Sequence, residues 1–138
     1  MTVMVVDDTS ILRRVLSDIL VEFCDVPRQN IYEAVDGMEA LSEYKRVRPD
    51  MVFLDIAMPK LSGLDVVKQI LQIDPSANII MCTAAGHRDV VKECVYAGAK
   101  DYLVKPLQPE RVVDSVRKIM GTVPRSNSLG LDQPDQSD

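Results

Sequence analysis

The sequence is expected to fold as an α/β domain around a doubly wound, five-stranded parallel sheet. Three observations predict it. Five short apolar runs recur along the chain, amphipathic helical patterns separate them, and polar residues stand together at the ends of the runs. Alternation of strand and helix implies parallel pairing with right-handed crossovers and helices on both faces. The 138 residues suit one domain with a real core.

The strands are expected at Val3–Val6, Ile31–Ala34, Met51–Leu54, Asn78–Cys82 and Asp101–Val104. Three are nearly continuous in apolar residues, as strands covered on both faces are. The second and fifth carry polar residues, which suits sheet edges. The first helix shows Ile11, Leu12, Val15, Leu16, Ile19, Leu20 and Phe23 at helical spacing, with Thr9 or Ser10 as its cap. Met38, Leu41 and Tyr44 mark the second, between Asp36 and Pro49. Leu64, Val67, Ile70 and Leu71 mark the third, stopped by Asp74–Pro75. The fourth carries Val91, Cys94 and Val95 and stops near Gly98. The fifth opens on Pro109, presents Val112, Val113, Val116 and Ile119, and ends at Gly121.

After residue 121 the composition turns to Ser, Pro, Gln, Asp and Gly. Such a segment buries too little apolar surface to offset its ordering entropy. The expected organisation is therefore one domain over 1–121 and a disordered tail or linker start over 122–138.

Bulk properties narrow the function. A net charge of -5 argues against direct nucleic-acid binding by this chain. No run reaches membrane-spanning length, and "MTVMVVDD" meets two carboxylates too early for a signal peptide. Cys24, Cys82 and Cys94 are odd in number and lack zinc spacing, so they read as small buried thiols in a reducing compartment. A cytoplasmic protein without membrane insertion is expected.

Chemistry concentrates at the strand ends. The first strand ends in Asp7–Asp8, the third in Asp55, the fourth in Thr83 and the fifth in Lys105–Pro106. Sites in open parallel sheets form beyond the carboxyl ends of strands. Any one of these residues fits a turn or a helix cap; all four strand ends together point to a site. Three crowded carboxylates repel, and a divalent oxygen-loving cation relieves that repulsion. Mg²⁺ keeps open positions for phosphate oxygens. Lys105 offers charge and Thr83 a hydrogen bond to a phosphoryl group. The set predicts phosphoryl chemistry on a carboxylate.

"VVDD", "FLDIAMPKLSG", "MCTAAG" and "AGAKDYLVKPL" resemble the signature segments of the response-regulator receiver domain, the CheY-like family of two-component signalling. The resemblance runs from about residue 1 to residue 120 with matching spacing. It implies a flavodoxin-like (βα)5 fold with strand order 2-1-3-4-5, the order that CheY itself adopts. It implies Asp55 as the phospho-acceptor. Asp7, Asp8, Asp55 and the backbone carbonyl of Ala57 would hold Mg²⁺ or Mn²⁺, with Asp8 favoured over Asp7 as a direct ligand. Thr83 and Lys105 would contact the phosphoryl group, and Thr83 and Tyr102 would switch. The Lys105–Pro106 bond would be cis, and Pro59 and Gly63 would shape the loop after the acceptor.

The implied partners are a histidine kinase or histidine phosphotransfer protein, and a downstream effector at the face of helix four, strand five and helix five. The chain would be a switch rather than an enzyme, limited to self-phosphorylation from a donor and autodephosphorylation. A stand-alone chemotaxis-type or relay regulator is expected; the alternative is the receiver part of a longer regulator with an output domain. Ala57 and Ala85 occupy positions whose side chains tune dephosphorylation in the family, so a lifetime outside the fastest class is expected. Leu107 replaces a common Phe, which reads as a packing change.

Other classes fit less well. A haloacid dehalogenase-type phosphatase uses Asp-x-Asp at the first strand end, where this chain has adjacent acids. A receiver that is never phosphorylated would be expected to lack an acid, and none is missing. Neither a P-loop nor G-x-G-x-x-G appears. His87 reads as a surface or helix-end residue, "YKRVR" as a solvated helix end, Tyr96 as a surface residue, and Met51, Met58 and Met81 as core and loop fillers.

Overall fold

The computed structural model describes residues 1–58 and 61–121. In chain order it contains β1 (Val3–Val6), α1 (Ser10–Phe23), a 3-10 turn (Arg28–Asn30), β2 (Ile31–Ala34), α2 (Gly37–Val47), β3 (Met51–Asp55), α3 (Gly63–Ile73), β4 (Ile79–Thr83), α4 (Arg88–Ala97), β5 (Asp101–Val104) and α5 (Pro109–Met120). The sheet order is β2-β1-β3-β4-β5, and every pairing is parallel. The two polar-bearing strands, β2 and β5, are the edges, as their composition predicts. Pro59 and the segment 122–138 lie outside the described residues.

Continuous apolar strands serve two cores at once, because successive side chains point to opposite faces. Met4, Val6, Val52, Leu54, Ile79 and Met81 pack on one face with Tyr44, Val66, Val67, Ile70, Val91 and Cys94, which come from α2, α3 and α4. Val3, Val5, Met51, Phe53, Ile80, Cys82 and Leu103 pack on the other with Leu16, Ile19, Leu20, Val112, Val113 and Val116 from α1 and α5. Met51 and Met81 are fully buried, and Met58 packs against the first cluster. Leu107 packs against the second.

Helix periodicity overstates burial at several positions. Ile11 is 70% exposed, Met38 60%, and Val15 and Val95 are also solvent-exposed. One stripe of each helix meets the sheet, and these residues fall beside it. Conversely, Tyr44 belongs to the core and not to a solvated helix end. Its ring is buried and its hydroxyl donates to Asp74 Oδ2 at 3.1 Å, while Lys45, Arg46 and Arg48 remain outside the core. The hydroxyl's proton is held by burial and by the adjacent Asp74 carboxylate, raising its pKa to about 12.

Helix ends follow side-chain chemistry. Asp36 caps α2 by accepting from the Glu39 N–H, and Ser62 caps α3 by accepting from the Asp65 N–H. Thr9 is the N-cap of α1, but its side chain makes no capping bond there. Its hydroxyl lies 3.5 Å from Asp8 Oδ1 instead. All three cysteines are free and buried, and burial pushes the Cys24 and Cys82 thiols up to about 12. Among the described residues, no helix is long and apolar enough to cross a membrane.

Candidate functional site

The pleat that builds two cores also sorts the polar residues beyond them. Val3 and Val5 face α1 and α5, and Asp7 follows in the same phase. Met51 and Phe53 likewise lead to Asp55, and Leu103 leads to Lys105. Register aligns these ends, since Val5 pairs with Phe53, Asp55 with Cys82 and Cys82 with Leu103. Thr83 falls in the opposite phase, after Ile79 and Met81, beside Val104 on β5.

Three acids meet at this edge. Asp7, Asp8 and Asp55 each present an atom within 4.8 Å of the others'. Asp7 and Asp55 are each 5% exposed, whereas Asp8 faces solvent. Lys105 reaches both buried acids, with Nζ 3.1 Å from Asp7 Oδ2 and 3.3 Å from Asp55 Oδ1. Asp7 Oδ1 accepts from the Thr9 N–H at 2.9 Å. Asp55 Oδ1 also accepts from the Ala57 N–H at 3.3 Å. Among the described residues, no hydrogen bond occupies Asp55 Oδ2.

The electrostatics are those of an under-neutralised site. Burial raises the Asp55 pKa, and nearby Asp7 adds to the rise; the Lys105 charge opposes both without cancelling them. Burial also disfavours the Lys105 ammonium, but Asp7 and Asp55 outweigh it and raise its pKa. Among the described residues, Lys105 is the cation that bonds the two buried carboxylates, and the third, Asp8, is exposed. The oxygen donors, their spacing and this uncompensated charge fit a hard divalent ion such as Mg²⁺.

A raised carboxyl pKa has a definite consequence for stability. Between the ordinary carboxylate value and the raised one, folded Asp55 holds more proton than the unfolded chain. Stability therefore falls as pH rises through that window, and the cost is fully present above the raised value. Asp55→Asn is expected to raise the urea midpoint of metal-free protein at neutral pH, with the gain shrinking at acid pH. Mg²⁺ should then stabilise the native chain more than the variant, because it binds the folded state. Equal midpoints at neutral pH without metal would contradict this account.

Local structure holds the site's frame. Arg13 donates from Nη1 to the Asp7 carbonyl at 2.8 Å and from Nε to Glu33 on β2 at 2.6 Å. It thereby ties the turn carrying Asp7 and Asp8 to the edge strand. The Gly63 N–H donates to the Ile56 carbonyl at 3.1 Å, and the Ile56 N–H donates to the Cys82 carbonyl at 3.1 Å. The Lys105–Pro106 peptide is cis.

Sequence reasoning missed two contacts. One is the Arg13 brace, for which the pattern shows only a charged residue on an exposed-looking helix turn. The other concerns His87, which is the N-cap of α4 as a helix-end residue but is only half-exposed. Its Nδ1 lies 3.3 Å from Thr83 Oγ1. Thr83 is buried, and its hydroxyl donates to the Ala84 carbonyl at 2.9 Å rather than to the acids. Tyr102 is 43% exposed and lines, with Thr83, His87, Val91, Val95 and Tyr96, a groove of about 850 Å³. Tyr96 is almost wholly exposed.

Fold and site together define a doubly wound parallel α/β domain with an acidic oxygen-donor site beyond its strand ends. The chain belongs to the response regulator receiver domain family, whose family model matches residues 3–117. It is similar to the chemotaxis protein CheY of Thermotoga maritima, at 44% identity over 85% of this chain and 95% of that protein. The chemotaxis protein CheY of Bacillus subtilis is 40% identical over 86% of this chain and 96% of its own length. Among solved structures, the CheX-CheY-BeF3-Mg complex from Borrelia burgdorferi matches with a TM-score of 0.77 at 33% identity, covering 87% of this chain and 89% of that one. A receiver domain protein from Clostridium thermocellum matches with a TM-score of 0.79 at 26% identity, covering 87% and 94%.

Proposed function

We propose that the chain is a phosphorylation-driven switch in which Asp55 takes a phosphoryl group from a partner's phosphohistidine. The observation that carries this reading is the geometry of Asp55. Its Oδ1 is held by Lys105 and the Ala57 N–H, while Oδ2 accepts no hydrogen bond among the described residues. A buried, oriented carboxylate with one oxygen free is suited to in-line attack.

The chemistry balances simply. Asp55 forms a P–O bond as the P–N bond to the donor imidazole breaks, and the imidazole carries away the bonding pair. Lys105 sits within reach of the acceptor and can pair with the transferred charge. Asp7, Asp8, Asp55 and the Ala57 carbonyl would hold Mg²⁺, or Mn²⁺ in its place. When bound, the ion would supply charge neutralisation for the acids and for the incoming phosphoryl group. The product carries roughly -1.5 to -2 charges, by analogy with other phosphorylated side chains. Thr83 then turns toward that charge, and Tyr102 packs inward into the space beside it.

The readout is a change in partner affinity at the face of α4, β5 and α5. Val95, Tyr96, Tyr102 and Val104 already expose apolar surface there. A partner preferring the active state by about 1.4 kcal/mol shifts the equilibrium about tenfold. The phosphoryl group must therefore supply much of the bias. The similarity to chemotaxis proteins favours a chemotaxis-type regulator, signalling as a switch and not turning over a substrate as an enzyme does.

Intact mass after incubation with acetyl phosphate tests the reading. One added phosphoryl group in Mg²⁺, and none after chelation, is expected. Failure to gain it from either acetyl phosphate or a phosphorylated histidine kinase would defeat the proposal. Ala57 and Ala85 are both exposed and lack any group to orient an attacking water. Once formed, the phosphoryl group is expected to outlast the family's fastest autodephosphorylation; a lifetime of seconds, followed by the same mass measurement, would contradict that.

A further inference from the structure

We propose that His87 is a positioning residue that latches the Thr83 hydroxyl away from the phosphoryl site in the resting state. The inference rests on the switch reading above and adds to it the group that holds the switch off. Thr83 ends β4, and Cys82 beside it pairs in register with Asp55. Its hydroxyl nevertheless bonds to neither Asp55 nor Lys105; its partners among the described residues are the Ala84 carbonyl and His87 Nδ1.

The polarity of this pair follows from proton counting. A threonine hydroxyl has one proton and two lone pairs. The 2.9 Å contact to the Ala84 carbonyl takes the proton, because a carbonyl only accepts. The 3.3 Å contact must then be Nδ1–H donating to Oγ1. The geometry thus assigns a proton to Nδ1 and engages the hydroxyl as both donor and acceptor. A phosphoryl group that takes this hydroxyl's proton displaces the Ala84 carbonyl, and turning Oγ1 toward that group draws the oxygen away from Nδ1.

The local sequence "TAAGH" builds the latch. Gly86 has φ +99, and apart from its chain neighbours no atom of the described residues lies within 4 Å of where a Cβ would stand, so its demand is conformational and not one of space. That turn brings His87 back over Thr83, four residues away, just where α4 begins. His87 and Thr83 both line the groove that also holds Tyr102. The latch therefore joins the reacting edge to the face that reports it.

The test is a beryllofluoride titration of the full chain in saturating Mg²⁺, followed by amide NMR signals. His87→Ala and His87→Gln remove a donor at the Nδ1 position, whereas an asparagine amide nitrogen lies close to it. His87→Ala and His87→Gln are expected to saturate at about two- to tenfold lower beryllofluoride, the span of one neutral hydrogen bond's net contribution. His87→Asn is expected to titrate near the native chain. Mg²⁺ titrations without beryllofluoride should agree across all four proteins, since His87 contacts none of the acids. Identical beryllofluoride curves for all variants, weaker binding by His87→Ala, or no rescue by His87→Asn would overturn the latch and leave the switch reading standing. A native chain that binds no beryllofluoride would overturn the switch reading, and the latch with it.

Discussion

Asp55→Asn is expected to abolish phosphorylation completely. The amide keeps the shape of the carboxylate and sits in the same buried socket, but it lacks an anionic oxygen to attack phosphorus. Acetyl phosphate with Mg²⁺ should add one phosphoryl group to the native chain and none to the variant, read as intact mass. Asp7 and Asp8 remain in the variant, so the comparison also tells the acceptor from its neighbours. Asp7 is as buried as Asp55 and also bonded to Lys105, which makes it the sharpest alternative acceptor. A phosphoryl gain that survives in Asp55→Asn would move the nucleophile to another residue. A urea midpoint for the variant at or above the native chain's would exclude unfolding as the reason for its inactivity.

Gly63→Ala is the second large expected effect, and its cause is steric. A Cβ at Gly63 would lie 2.8 Å from Ile56 Cα and 3.0 Å from the carbonyl oxygens of Asp55 and Ile56. All three are backbone atoms of the segment that carries the acceptor and Ala57, so no flexible side chain can move aside. Overpacking of this kind costs about 1–3 kcal/mol. The expected result is a lower urea midpoint together with weaker Mg²⁺ binding, because the strain is delivered to the turn that would hold the ion. A variant that melts and binds Mg²⁺ like the native chain would show that the β3–α3 turn relaxes without displacing Asp55.

Much of the fold and the site was legible in the residues. Periodicity placed all five strands and five helices, with β3 and β4 each reaching one residue further toward the site than the apolar runs alone suggest. Polar content marked β2 and β5 as edges. The acids, Thr83 and Lys105 were readable as candidate site residues because each interrupts or follows an apolar strand at the same end. Burial was less legible on the helices. Ile11, Met38 and Val95 satisfy helical spacing yet lie beside the buried stripe, whose width depends on how each helix sits on the sheet.

By itself the sequence determined the strand–helix alternation, the parallel sheet that follows from it, and the identity of the groups at the strand ends. These are local properties, fixed by side-chain period and by where apolar runs stop. The tertiary structure alone decided how those groups face one another. Register and pleat put Asp7, Asp55 and Lys105 in one phase and Thr83 in the other. Only packing could leave Asp55 Oδ2 without a hydrogen bond among the described residues, bring Arg13 to the Asp7 carbonyl, and fold His87 back onto Thr83. Such contacts depend on loop paths and helix placement, and no spacing rule in a single chain specifies them.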